Sequence, residues 1–82
     1  MNDFTELLSE TRNACLENYD LAVMYVSFYR GKNRLCDLSR FCNFDQDNAA
    51  IFINMLQLRK FPDWSDERMY ELEDELIKKF EL

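Results

Sequence analysis

Gly31 and Pro62 are the only glycine and the only proline in 82 residues, and that scarcity restricts the fold more than any other feature. Hairpins and tight turns draw on glycine for positive φ and on proline for a φ preset at about −65°. A chain holding one of each lacks the material for the many reversals of a β-sandwich or barrel. It is equally far from disordered tails and collagen-like sequences. Apolar residues make up 48% of the chain and aromatic residues 15%, which is ample for a core. The length allows one domain, spanning 1–82.

Hydrophobic spacing then predicts helices. Asp3 stands as an N-cap with Glu6 three residues on, a capping-box pattern. Phe4, Leu8, Thr11, Cys15, Tyr19, Ala22, Val26 and Tyr29 follow in steps of three or four and draw one stripe over 4–29. Gly31, after Arg30, is placed to end that helix in the left-handed region. Its length leaves a break near Glu17–Asp20 open. Asn33 can cap a short helix over 34–42 carrying Leu35, Leu38, Phe41 and Cys42, with Asn43 in a left-handed turn. Asp45 caps a third helix over 46–60. Apolar residues sit on several of its sides (Ala49, Phe52, Ile53 and Leu56; Ile51, Met55 and Leu58), which predicts the central, most buried helix. Pro62 stops it. Ser65 caps the last helix, 66–80, where Asp66 and Glu67 occupy the first turn and Lys78 and Lys79 the last. There Trp64 can staple onto Met69, and Met69, Leu72, Leu76 and Phe80 face inward. The expected fold is all-α, a single small domain of about four helices.

The same composition narrows the chemistry. Histidine is absent, removing the commonest general base and metal ligand at neutral pH. One glycine cannot build a phosphate-cradling loop. Glu71 and Glu75 lie one turn apart, but on a charged helix face that reads as solvated surface. Cys15, Cys36 and Cys42 form no CxxC pair and read as buried thiols of a reducing compartment. No catalytic residue, metal or cofactor is therefore expected. The opening MNDFTE lacks the basic and apolar regions of a signal peptide, and the apolar run Leu21–Phe28 is too short to span a bilayer. A cytoplasmic, non-enzymatic protein follows as the expectation.

Charge separates the remaining classes. The net charge is −6, with the acids concentrated in 1–20 and 63–82 and a basic excess between them. The run Leu38–Ala49 resembles a helix-turn-helix, yet its second helix opens Asp45-Gln46-Asp47, which repels phosphates. Nucleic acid is accordingly an unfavoured partner. A DNA mimic is the other alternative, its carboxylate row formed by Asp63, Asp66, Glu67, Glu71, Glu73, Asp74, Glu75 and Glu81.

The strongest functional signal lies in 19–29. Tyr19, Ala22, Val23 and Val26 continue the inward stripe, which puts Leu21, Tyr25 and Phe28 on the opposite flank. Surplus aromatic surface marks a protein contact. The expected partner-binding site is therefore Leu21, Tyr25 and Phe28, with Arg30, Lys32 and Arg34 steering an acidic partner. A homo-oligomer is a further expectation. Chain length, the scarcity of Gly and Pro, the abundance of Phe, Tyr, Asn and Asp, and the opening MNDFTELL resemble the rapid-lysis type III proteins of T-even-like phages, which are lysis-inhibition accessory factors. That resemblance covers length and texture and carries over no site residue. It implies an all-helical protein that binds the cytoplasmic part of a phage holin and delays lysis.

Overall fold

The computed structural model describes residues 3–30 and 38–82. Four α-helices form the frame: α1 (Phe4–Glu17), α2 (Tyr19–Arg30), α3 (Gln46–Met55) and α4 (Asp66–Phe80). Two 3-10 segments, Leu38–Asn43 and Leu58–Lys60, connect them, and no strand occurs among the described residues. The all-α expectation holds. Gly31, Lys32, Asn33, Arg34, Leu35 and Cys36, and with them the first part of the expected 34–42 helix, lie outside the described residues.

Helix starts follow local chemistry. The Asp3 side chain accepts from the Glu6 amide at 2.8 Å, Asp45 from the Asn48 amide at 2.8 Å, and Ser65 from the Arg68 amide at 3.3 Å. Each satisfies one of the orphan amides of a first turn. The stripe over 4–29 is carried by two helices, the break falling at Asn18 within the Glu17–Asp20 stretch where the sequence left one open. Asn18 leaves the helical region (φ −142°, ψ 109°) and ends α1. Its own Oδ1 then accepts from the Leu21 amide at 3.2 Å, starting α2. One short amide side chain therefore both closes and opens a helix, which is how Asn competes with regular backbone pairing.

The third helix is shorter than expected and is not the central one. Regular α geometry stops at Met55, where the Gln57 amide bonds back three residues to Asn54 at 2.9 Å. At three residues per turn Met55 and Leu58 fall on the same side, and both are fully buried. Asn43 is not left-handed. Among the described residues only Glu81, closing α4, has that conformation outside glycine (φ 57°).

Helix α2 occupies the middle. Every residue from Leu21 to Val26 is buried, because α1, α3 and α4 all pack against it. The core joins Phe4, Leu7, Leu8 and Cys15 of α1 to Leu21, Ala22, Tyr25, Val26 and Tyr29 of α2, with Met55, Leu58, Met69, Leu72 and Leu76 closing it. No helix among the described residues is long and apolar enough to cross a membrane.

Candidate functional site

The apolar part of the site expected from the sequence is not an open surface patch. Leu21 and Tyr25 have no exposed area, and Phe28 is half-buried. The Tyr25 ring stands edge-on to Phe28 at 5.8 Å and stacks on Tyr29 at 5.9 Å. Tyr29 in turn donates to Asp66 at the head of α4. The correction has a simple cause. A helix at the edge of a domain can hide one flank, but a central helix has neighbours on every flank, so its two-sided apolar pattern is spent internally. Lys32 and Arg34 lie outside the described residues, as does the side chain of Arg30.

Large apolar side chains are exposed at Tyr19, Trp64 and Tyr70, and two more, Ile53 and Leu56, lie one turn apart on α3 and its C-cap. The inward side of α3 carries Met55 and the half-buried Ile51 and Phe52, and Phe52 joins Phe41 at 5.6 Å and Phe44 at 6.4 Å. That aromatic trio anchors the 3-10 segment to α3. With the helix held by this side, Ile53 is turned outward and left 52% exposed, and Leu56 is 38% exposed. Gln46 and Ala50 are exposed on the same outward face of the helix. Beside it lies a hollow of about 300 Å³ lined by Leu7, Asn54, Gln57, Lys60 and Phe61. Two large apolar side chains one turn apart, next to a partly apolar hollow with a lysine at its edge, are the ingredients of a protein contact.

A second groove of about 360 Å³ separates α1 from α4. It is bridged by charge. Arg12 binds Glu75 through two bonds of 2.8 Å, and Arg68 donates to the Thr5 hydroxyl at 2.8 Å. The hydrogen bonds from Arg12 hold the Glu75 carboxyl below the usual carboxylate range, against a smaller opposing effect of desolvation. Ion pairing in this groove ties the two helices together.

The alternative surfaces fare unevenly. The carboxylate row of α4 is interrupted: Glu73 is buried, Glu75 is held by Arg12, Asp74 pairs with Lys78 at 2.9 Å, and Asp66 takes the Tyr29 hydroxyl. A mimic of regularly spaced phosphates is poorly served by that arrangement. The helix-turn-helix resemblance meets a 3-10 segment at 38–43 followed by α3, whose exposed start is Asp45-Gln46-Asp47. Cys15 is buried and Cys42 exposed, and Cys36 lies outside the described residues. No group of three or more potential metal ligands occurs among the described residues.

Sequence reasoning missed the α3 face because the same Ile53 and Leu56 were counted toward a buried helix. The available signal was the pair Asp45-Gln46 at the start, polar residues in helical register with Ile53. No family model, curated protein or solved structure matches this chain.

Proposed function

We propose that this chain is a non-enzymatic regulator that works by stoichiometric binding to another protein, and that it docks through the outward face of α3. The observation that carries the reading is Ile53, 52% exposed, with Leu56 one turn away at 38%. Scattered exposed apolar residues are ordinary, but two on one short helix beside an apolar hollow form a coherent anchor. The hollow between Leu7 and Phe61 can receive a side chain of the partner, and Lys60 at its edge favours an acidic one. The resemblance to phage lysis-inhibition accessory proteins would make that partner the cytoplasmic part of a holin.

The test is capture from host extract with the wild-type chain and with Ile53→Asp. Because Ile53 is exposed, the substitution should change stability by only about 0.5 kcal/mol. It should remove the specifically retained protein, costing binding about 2 kcal/mol or more if Ile53 is an anchor. Identical captured proteins from both chains would refute the α3 face as the docking site.

A further inference from the structure

Helices α1 and α4 run side by side along their groove of about 360 Å³. Arg68 donates to Thr5 and Arg12 binds Glu75, and each pair is 63 residues apart in the chain, so the two helices advance in the same direction. From Thr5 to Arg12 is two turns of helix, about 10 Å, and these two bridges close the groove at its ends. Between them Leu8 and Leu72, both buried, form an apolar floor. The volume lies at the low end of small-molecule pockets.

Charge in the groove is only half spent. Arg12 and Glu75 neutralise each other. The Arg68 guanidinium is steadied by the Thr5 hydroxyl and lies 5.5 Å from the centre of the Phe4 ring. Among the described residues it meets no carboxylate, and Glu71, one turn on and lining the same groove, meets no base. We infer that the groove binds a free α-amino acid with an apolar side chain. Its carboxylate pairs with Arg68, its ammonium with Glu71, and its side chain lies on Leu8 and Leu72. A lone anion at Arg68 is opposed by Glu71, and a lone cation at Glu71 by Arg68. A zwitterion satisfies both. Side chains three apart on a helix have Cβ atoms about 5–6 Å from each other, near enough for two charges borne on one carbon. The interior of a peptide offers neither charge, and a charged side chain would lose its water against the leucine floor. The groove shares no lining residue with the hollow beside α3, so this site stands independently of the docking surface.

Backbone-amide NMR spectra of the full chain, titrated with L-leucine, read this directly. The amides of 5–12 and 68–75 should shift and saturate with a dissociation constant on the order of 1 mM. Isocaproate lacks the ammonium and isoamylamine lacks the carboxylate, so each should bind about tenfold more weakly than leucine. Glu71→Gln should weaken leucine about tenfold and leave isocaproate no weaker than before. Arg68→Gln should weaken leucine as much and leave isoamylamine no weaker. Both positions are exposed, so circular dichroism should show an unchanged fold in both variants. Failure to saturate at about 50 mM leucine, well above the expected constant, overturns the assignment. So do fragments that bind as tightly as leucine, shifts confined to other parts of the chain, and variants that keep the wild-type affinity. A loss shared equally by all three ligands also overturns it, since that would mark a structural role for the substituted residue.

Discussion

Tyr25 of α2 donates its phenolic hydroxyl to the backbone carbonyl of Met69 in α4 at 2.8 Å, and both side chains are fully buried. Burial pushes the hydroxyl well above the usual tyrosine range, so it remains a protonated donor. The bond crosses the core and joins two residues 44 apart in the chain, one on each helix. Tyr25→Phe keeps the ring and should cost about 1 kcal/mol, lowering Tm by roughly 4–8 °C. Tyr25→Ala also opens a cavity, and should cost about 3–5 kcal/mol. A denaturant titration of both variants checks this. A Tyr25→Ala chain of near-native stability would contradict the central placement of α2.

Thr11 gives the opposite sign. Its hydroxyl is fully buried on α1 and has no hydrogen-bond partner among the described residues. An unpaired buried hydroxyl carries a desolvation penalty of about 1–3 kcal/mol. Thr11→Val preserves the shape and removes the polar atom, so it should raise the midpoint of unfolding. A lower midpoint would mean that the hydroxyl is hydrogen-bonded in solution.

Two cysteines should differ in reactivity. Burial pushes the Cys15 thiol up to about 12, whereas Cys42 is exposed. Only a thiolate is nucleophilic. Iodoacetamide at neutral pH should therefore label Cys42 in the folded protein and spare Cys15 until denaturant is added, as peptide mass mapping would show. The same shift predicts alkaline sensitivity. The thiol is favoured in its neutral form when folded, so the stability it contributes is full below its unfolded pKa and is lost as pH rises toward 12.

The pairing of Arg12 with Glu75 predicts a loss at the acid end. The folded carboxyl titrates below its unfolded value, so its contribution is present above the unfolded pKa and disappears as pH falls through the folded one. Both side chains are partly exposed, 48% and 39%, and solvent screening keeps the effect small. Glu75→Gln should lower Tm slightly at pH 7 and not at all once the wild-type carboxyl is protonated. Added salt should shrink the difference at pH 7. A difference that persists in strong acid would point to packing as its source.

The local chemistry of this fold was legible in the chain itself. Asp3, Asp45 and Ser65 cap the helices that their positions announced, because a cap needs only a short polar side chain and the amides two or three residues ahead. The stripe Met69, Leu72 and Leu76 is buried as its spacing implied. Its helix carries charge on the other side, which leaves only one way for it to lie. Asn18 marks the limit of this local reading. Its switch from ending α1 to starting α2 is encoded in an amide that equally suits a helix surface.

What only tertiary structure decided was which apolar helix takes the centre. Residues 19–29 and 46–58 are both apolar on more than one side, and periodicity alone cannot rank them, since it records where side chains point and not how many neighbours a helix acquires. Packing assigned α2 three helical neighbours and buried Leu21 and Tyr25. It set α3 at the edge, held by Met55, Phe52 and Leu58, and so turned Ile53 outward. Composition and period determined an all-helical domain with apolar area to spare. The place where that spare area meets solvent depends on contacts between segments far apart in the chain.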